Sequence, residues 1–225
     1  MAIGGPDGQV QPATPGAVPP GVYWDTVYQR RGAAGVSWFQ ATPQASLDLI
    51  RVLGIPRRTP VVDAGAGAGA LTGQLAAAGF TDLTAVDVSA AALEAARQRL
   101  AGQPGVTRIN WIRADLLSWR PDRRYGLWHD RAVFHFLTEP AARAAYLATV
   151  RAALTPGGAV VLATFAPDGP GYCSGLPVAR YSPSDLARAL GTGFTLTAAR
   201  SEQHNTPDGA IQPFTWVAGR LIGPP

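Results

Sequence analysis

The sequence contains no lysine: all 19 basic residues among its 225 are arginine. That excludes a Schiff-base lysine, a phosphate-binding P-loop lysine and a lysine general base. Cysteine occurs once, at Cys173, which rules out an internal disulfide and any cysteine-rich zinc or iron–sulfur site. The histidines, His129, His135 and His204, are scattered, without His-x-x-x-His spacing or paired carboxylates beside them, so no metal site is expected. No run approaches the roughly 18 apolar residues of a membrane span. The opening MAIGGPDGQV has neither the basic nor the apolar region of a secretion signal. A cytoplasmic protein without a membrane partner is the expectation. The excess is of positive charge, 19 basic residues against 15 acidic. The arginines are nevertheless scattered, with no basic aromatic strip, and no nucleic-acid partner is expected.

Residues 1–21 are rich in proline and glycine and read as a flexible arm, with ordering as a lid left open. Residues 22–55 read as a helical cap, with a helix from Pro43 that Gly54 and Pro56 stop, and 22–225 as one domain. Strands and helices then alternate. Strands are expected at 60–64, 82–87, 106–113, 125–129 and 159–165. Helices are expected at 69–78, after an N-cap at Ser89, from Pro140 to Leu154, and after Ser182-Pro183-Ser184-Asp185. Residues 194–201 and 211–219 have no helix between them and read as an antiparallel hairpin. The alternation implies an α/β fold with a doubly wound parallel sheet.

Val61-Val62-Asp63-Ala64-Gly65-Ala66-Gly67-Ala68-Gly69-Ala70 carries the sharpest signal. Glycines after a strand let the backbone turn tightly and approach a ligand, and the next helix offers its free N–H groups. Gly65-x-Gly67-x-x-Ala70 also fits the dinucleotide fingerprint, so the loop alone leaves a nicotinamide cofactor open. Its acidic companions decide the matter. Asp63, two residues before the first glycine, would repel a pyrophosphate and attract an ammonium group. Asp87 follows Gly67 by 20 residues, where a carboxylate accepts both ribose hydroxyls. Asp115 follows the third strand, within reach of an adenine amino group, and Asp130 ends the fourth. Ammonium, ribose and amino-purine without phosphate describe S-adenosylmethionine.

VVDAGAGAGAL, TAVDVS, IRADL and AVVLATF after TPGG resemble the motifs of class I S-adenosylmethionine-dependent methyltransferases over residues 40–220. The resemblance implies a Rossmann-like, mostly parallel seven-stranded sheet of order 3-2-1-4-5-7-6 with strand 7 antiparallel. It implies that Asp63, Ala64, Gly65, Gly67 and Gly69 hold one part of the cofactor. Asp87, Val88, Asp115, Leu116 and Asp130 are expected to hold the rest, under Trp24 and Trp38. Tyr23-Trp24-Asp25-x-x-Tyr28, Val36-Ser37-Trp38-Phe39 and Trp128-His129-Asp130-Arg131-Ala132 look like a bacterial group of small methyltransferases. That group is similar to lysine methyltransferases with Asp-Lys-Gly after strand 4, where this chain has Asp130-Arg131-Ala132.

Methyl transfer is an in-line displacement, so the protein must chiefly place its acceptor. His135, near the end of strand 4, is the candidate base, with Asp130 beside it as a further catalytic candidate. Trp24, Tyr28, Trp38 and Phe39 are candidates to shape an acceptor pocket, and Arg30, Arg31 and Arg180 to clamp an anionic one. The expected acceptor is an N, O or S atom of a small molecule, and the expected assembly a monomer or homodimer. Two alternatives are protein lysine methylation and nicotinamide dinucleotide binding.

Overall fold

The computed structural model describes residues 18–222. Helix α1 (Pro20–Arg31) and helix α2 (Gln44–Val52) precede the sheet. The expected arm lies outside the described residues up to position 17, but its last two residues, Pro20 and Gly21, already belong to α1. Proline suits the first helical turn, since its missing N–H would have no partner there.

Strand β1 (Val61–Ala64), α3 (Ala70–Ala77), β2 (Leu83–Asp87), α4 (Ala90–Leu100), β3 (Ile109–Arg113) and β4 (Tyr125–Arg131) follow in alternation. Then come α5 (Pro140–Ala153), β5 (Leu154–Phe165), a short hairpin of β6 (Tyr172–Cys173) and β7 (Leu176–Pro177), and α6 (Pro183–Leu190). Strands β8 (Phe194–Asn205) and β9 (Ile211–Leu221) end the chain. The main sheet has order β3-β2-β1-β4-β5-β9-β8, with β9 antiparallel to both neighbours. This is the expected order, the terminal hairpin supplying its last two strands.

Among the boundaries that differ from the sequence reading, three have a clear physical reason. Residues 106–108 form a 3-10 turn instead of starting β3, because Gly105 enters at φ 81° and leads the chain into that turn. Strand β5 begins at Leu154, which pairs with Tyr125, so the Pro-Gly-Gly segment lies inside a strand instead of ending a helix. Strand β4 runs two residues beyond His129, pairing Asp130 with Leu162 and Arg131 with Ala163.

The two-residue period of the strands sorts the core into two layers. Val61, Ala85, Leu127, Val161 and Trp216 face α2 and α3. Val62, Val86, Trp128, Leu162 and Val217 face α5 and α6. Both faces are covered, as a parallel sheet requires. Ser89 caps α4 by accepting from the Ala92 N–H, and Ser182 caps α6 through the Asp185 N–H. Helix α1 is tied down by Asp25, which accepts from the Ser89 hydroxyl at 2.7 Å and the Ala91 N–H at 2.9 Å. It thereby crosses the carboxyl ends of the strands. Among the described residues, no helix is long and apolar enough to cross a membrane.

Candidate active site

The cleft lies where parallel sheets bind ligands, outside the carboxyl ends of the strands, on both sides of β1. Its larger part is a cavity of about 280 Å³. Asp87 and Val88 from the end of β2, and Ala114 to Leu117 after β3, line one side. Arg131 to Val133 after β4, with Phe136, line the other. Helix α1 and the following loop cover it with Trp24, Tyr28 and Trp38. The Trp24 ring meets Trp38 at 5.6 Å and Phe136 at 5.1 Å, both edge-on. The β6–β7 hairpin contributes Cys173 and Leu176. Its two turn residues, Ser174 and Gly175, both have positive φ, as a tight hairpin requires. The Tyr23 hydroxyl of α1 donates to the Ser174 carbonyl, so the two covers are joined.

A smaller cavity of about 80 Å³ adjoins it and shares Tyr28, Trp38, Gly65 and Arg131. Asp63, Ser46, His129, Gly67 and Phe39 line this part. The glycine loop runs between the two. Gly65, Gly67 and Gly69 all have positive φ, and a Cβ on Gly65 would stand 2.1 Å from Val133 Cγ2. The loop is therefore closed to any larger residue at that point.

The expected carboxylates have unequal fates. Asp87 lines the larger cavity with Oδ2 accepting from the Gly67 N–H and Oδ1 from the Ser89 N–H, both at 2.8 Å. Burial pushes its pKa up to about 6, against those two hydrogen bonds. Each oxygen keeps a lone pair for a hydroxyl donor. Asp115 lines the same cavity and accepts from the Leu117 N–H at 3.0 Å. Asp63 is held by protein on both oxygens. Thr72 donates to Oδ2 at 2.6 Å and His129 Nδ1 to Oδ1 at 2.9 Å, while His129 Nε2 faces the Ser46 hydroxyl at 3.0 Å. The cross-strand pairing of Asp63 with His129 places both on the α2 side of the sheet.

Asp130 departs from the expectation of a cofactor or catalytic contact. It is fully buried on the α5 side and lines neither cavity. Its oxygens accept from the Val133 N–H at 2.8 Å, the Phe134 N–H at 3.1 Å and the Tyr146 hydroxyl, which in turn accepts from Trp128 Nε1 at 3.0 Å. The carboxylate thus folds the loop after β4. Burial raises its pKa to about 6.

The candidate base His135 also turns away. It is fully buried, packed 4.4 Å from the Phe136 ring and 4.8 Å from the Phe165 ring, and lines neither cavity. Its ring nitrogens have no hydrogen-bond partner among the described residues. Burial first, then the Arg131 charge, lowers its pKa to about 3, so the ring is neutral. The suggested clamps Arg30, Arg31 and Arg180 line neither cavity; Arg180 donates to the Gly169 carbonyl at 3.1 Å.

Sequence reasoning missed two residues. Arg131 lines both cavities, and the signal was its place directly after the last strand-end aspartate. Ala132 holds φ 73°, a left-handed conformation rare for a residue with a Cβ. The available signal was its place at the glycine of the Asp-Lys-Gly pattern, since glycine is the residue that adopts positive φ freely.

This sheet order, with its antiparallel terminal hairpin and strand-end cleft, defines the Rossmann-like class I methyltransferase fold. Residues 61–158 match the family model described as a methyltransferase domain. Solved structures share the fold across most of their length. The N-methyltransferase NodS from Bradyrhizobium japonicum WM9, in complex with S-adenosylhomocysteine, is 19% identical with a TM-score of 0.67, over 88% of this chain and 97% of that one. The 1,6-didemethyltoxoflavin-N1-methyltransferase of Burkholderia thailandensis, with bound 1,6-didemethyltoxoflavin and S-adenosylhomocysteine, is 24% identical with a TM-score of 0.63, over 89% of this chain and 84% of that one. A methyltransferase from Anabaena variabilis ATCC 29413 gives 17% and 0.70, over 95% and 99%. No curated protein matches the sequence.

Proposed function

We propose that this chain is an S-adenosylmethionine-dependent methyltransferase acting on an N, O or S nucleophile of a small molecule, as a cytoplasmic monomer or homodimer without nucleic-acid or membrane partners. The observation that carries this reading is an apolar cleft with a buried carboxylate, Asp87, on its wall, beside a glycine loop within the matched domain. The residues fit the cofactor. Asp87 has acceptor capacity left for ribose hydroxyls, and Asp115 and Leu116 border the place for the base. Gly65, Gly67 and Asp63 border the smaller cavity, suited to an amino-acid end. When bound, S-adenosylmethionine supplies a methyl group on a sulfonium, with a neutral thioether as leaving group.

The protein's part is positioning. Trp24, Tyr28 and Trp38 cover the cavity with aromatic side chains, which exclude water from it. No histidine lines the larger cavity among the described residues. Catalysis therefore rests on holding an acceptor that needs no imidazole base, such as a neutral amine or a thiolate. Positioning of this kind supplies roughly 7–11 kcal/mol. Nitrogen is favoured, since NodS and the toxoflavin enzyme are both N-methyltransferases by name.

Calorimetry tests the reading. Saturable binding of S-adenosylhomocysteine, and none of NAD, is expected. Binding of NAD with no response to S-adenosylhomocysteine overturns it in favour of the dinucleotide alternative.

A further inference from the structure

Arg131 occupies an unusual position for a cation. Its Nη1 donates to the Trp38 carbonyl at 3.0 Å, and its guanidinium carbon lies 4.5 Å from the centre of the Phe214 ring. These contacts fix the plane of the side chain. Nε and Nη2 are buried and have no hydrogen-bond partner among the described residues. No carboxylate forms an ion pair with it there. Glu202, an acid whose field it feels, is engaged by Gln40 at 2.9 Å and by Trp216 Nε1 at 2.8 Å. A buried guanidinium with two idle donors is costly unless a ligand completes it.

Sheet order divides the larger cavity. The β2 and β3 side holds Asp87 and Asp115. The β4 and β5 side holds Phe136, Leu137, Cys173 and Leu176, and its one charged lining residue is Arg131. If the first side takes the adenosine, the second is where an acceptor enters. Burial holds the Cys173 thiol up to about 12, so it offers no counter-charge. A cationic sulfonium brought beside a guanidinium is repelled at low dielectric, unless an anion arrives with it.

Building on the methyltransferase reading above, we propose that Arg131 is the anchor for a carboxylate or comparable oxyanion on the acceptor, which is an aromatic or apolar small molecule. The anion fills Nε and Nη2 in the bidentate fork, offsets the sulfonium charge and leaves the rest of the acceptor against Phe136, Leu137 and Leu176. The competing source of the same chemistry is the cofactor's own carboxylate.

The test uses the full chain saturated with S-adenosylhomocysteine, with benzoate and benzamide as matched probes in calorimetry. Benzoate is expected to bind at least tenfold more tightly than benzamide. In Arg131→Met that preference disappears, while affinity for S-adenosylhomocysteine changes less than threefold. Its ratio to the affinity for 5′-methylthioadenosine, which lacks the amino-acid end, also persists. Arg131→Lys, which keeps charge without the fork, retains part of the preference. Equal binding of the two probes by the wild type, or no binding of either, overturns the proposal without any variant. A tenfold collapse of the homocysteine-to-methylthioadenosine ratio in Arg131→Met also overturns it and assigns the guanidinium to the cofactor. Failure of the unmodified chain to bind S-adenosylhomocysteine is separately visible and removes the methyltransferase reading itself.

Discussion

Replacing His135 by leucine, a side chain of similar size without polar atoms, should stabilise the protein at low pH and leave cofactor binding intact. The imidazole is fully buried between Phe136 and Phe165, both nitrogens are unpartnered, and its pKa is lowered to about 3. An unfolded chain takes up the proton near pH 6.5, while the folded one stays neutral until about 3. The unfolded state therefore binds more protons in that window, and stability falls as pH falls through it. Between pH 7.5 and pH 5 the loss from this one group is about 2 kcal/mol by linkage. Asp87 and Asp130, raised to about 6, act with the opposite sign: both take up a proton in the fold as pH falls through about 6, before their unfolded counterparts do, and each adds about 1 kcal/mol at pH 5 relative to pH 7.5. The wild-type curve thus mixes the terms, and only the difference between variant and wild type isolates His135. Urea unfolding of both proteins at pH 7.5, 6 and 5 measures it. The stability difference should grow by about 2 kcal/mol towards pH 5. A difference constant to within about 0.5 kcal/mol, or loss of S-adenosylhomocysteine binding in the variant, refutes the buried neutral imidazole.

Asp87→Ala should weaken S-adenosylhomocysteine binding more than tenfold, through loss of a hydroxyl acceptor and of the Gly67 and Ser89 anchors. Wild-type affinity should also drop as pH falls through about 6, where the carboxylate gains a proton; flat calorimetric titrations from pH 7.5 to 5 would contradict the ribose placement. Gly65→Ala places a Cβ 2.1 Å from Val133 Cγ2 at φ 70°. Left-handed strain of about 1–2 kcal/mol and overpacking of about 1–3 kcal/mol should together lower unfolding stability measurably, and an unchanged urea midpoint would speak against this tight loop.

The alternation of elements, the glycine turn, the Ser89 and Ser182 caps and the terminal hairpin were legible because each rests on neighbouring residues: periodicity, cap chemistry and turn glycines. The likeness of VVDAGAGAGAL and TAVDVS to methyltransferase motifs likewise needs no third dimension. Asp87, the last residue of its strand, and Asp115, two residues beyond the next, were legible too, since a carboxylate at or just past a strand end has few directions to take other than the cleft.

Asp130 was not. Local pattern ended its strand at His129, whereas pairing with Leu162 and Ala163 carries β4 on to Arg131. Inside a strand, direction alternates, so Asp130 turns towards α5 and Tyr146 while Arg131 turns towards Phe214 and the cleft. His135 was misjudged for a related reason: the turn that Asp130 caps carries the imidazole beneath the loop, against Phe165 from a strand 30 residues later. The order of residues thus determined the sheet and its glycine loop. Only the pairing of strands distant in sequence decided which charges meet the ligand, because register and strand length set side-chain direction and both are settled between strands.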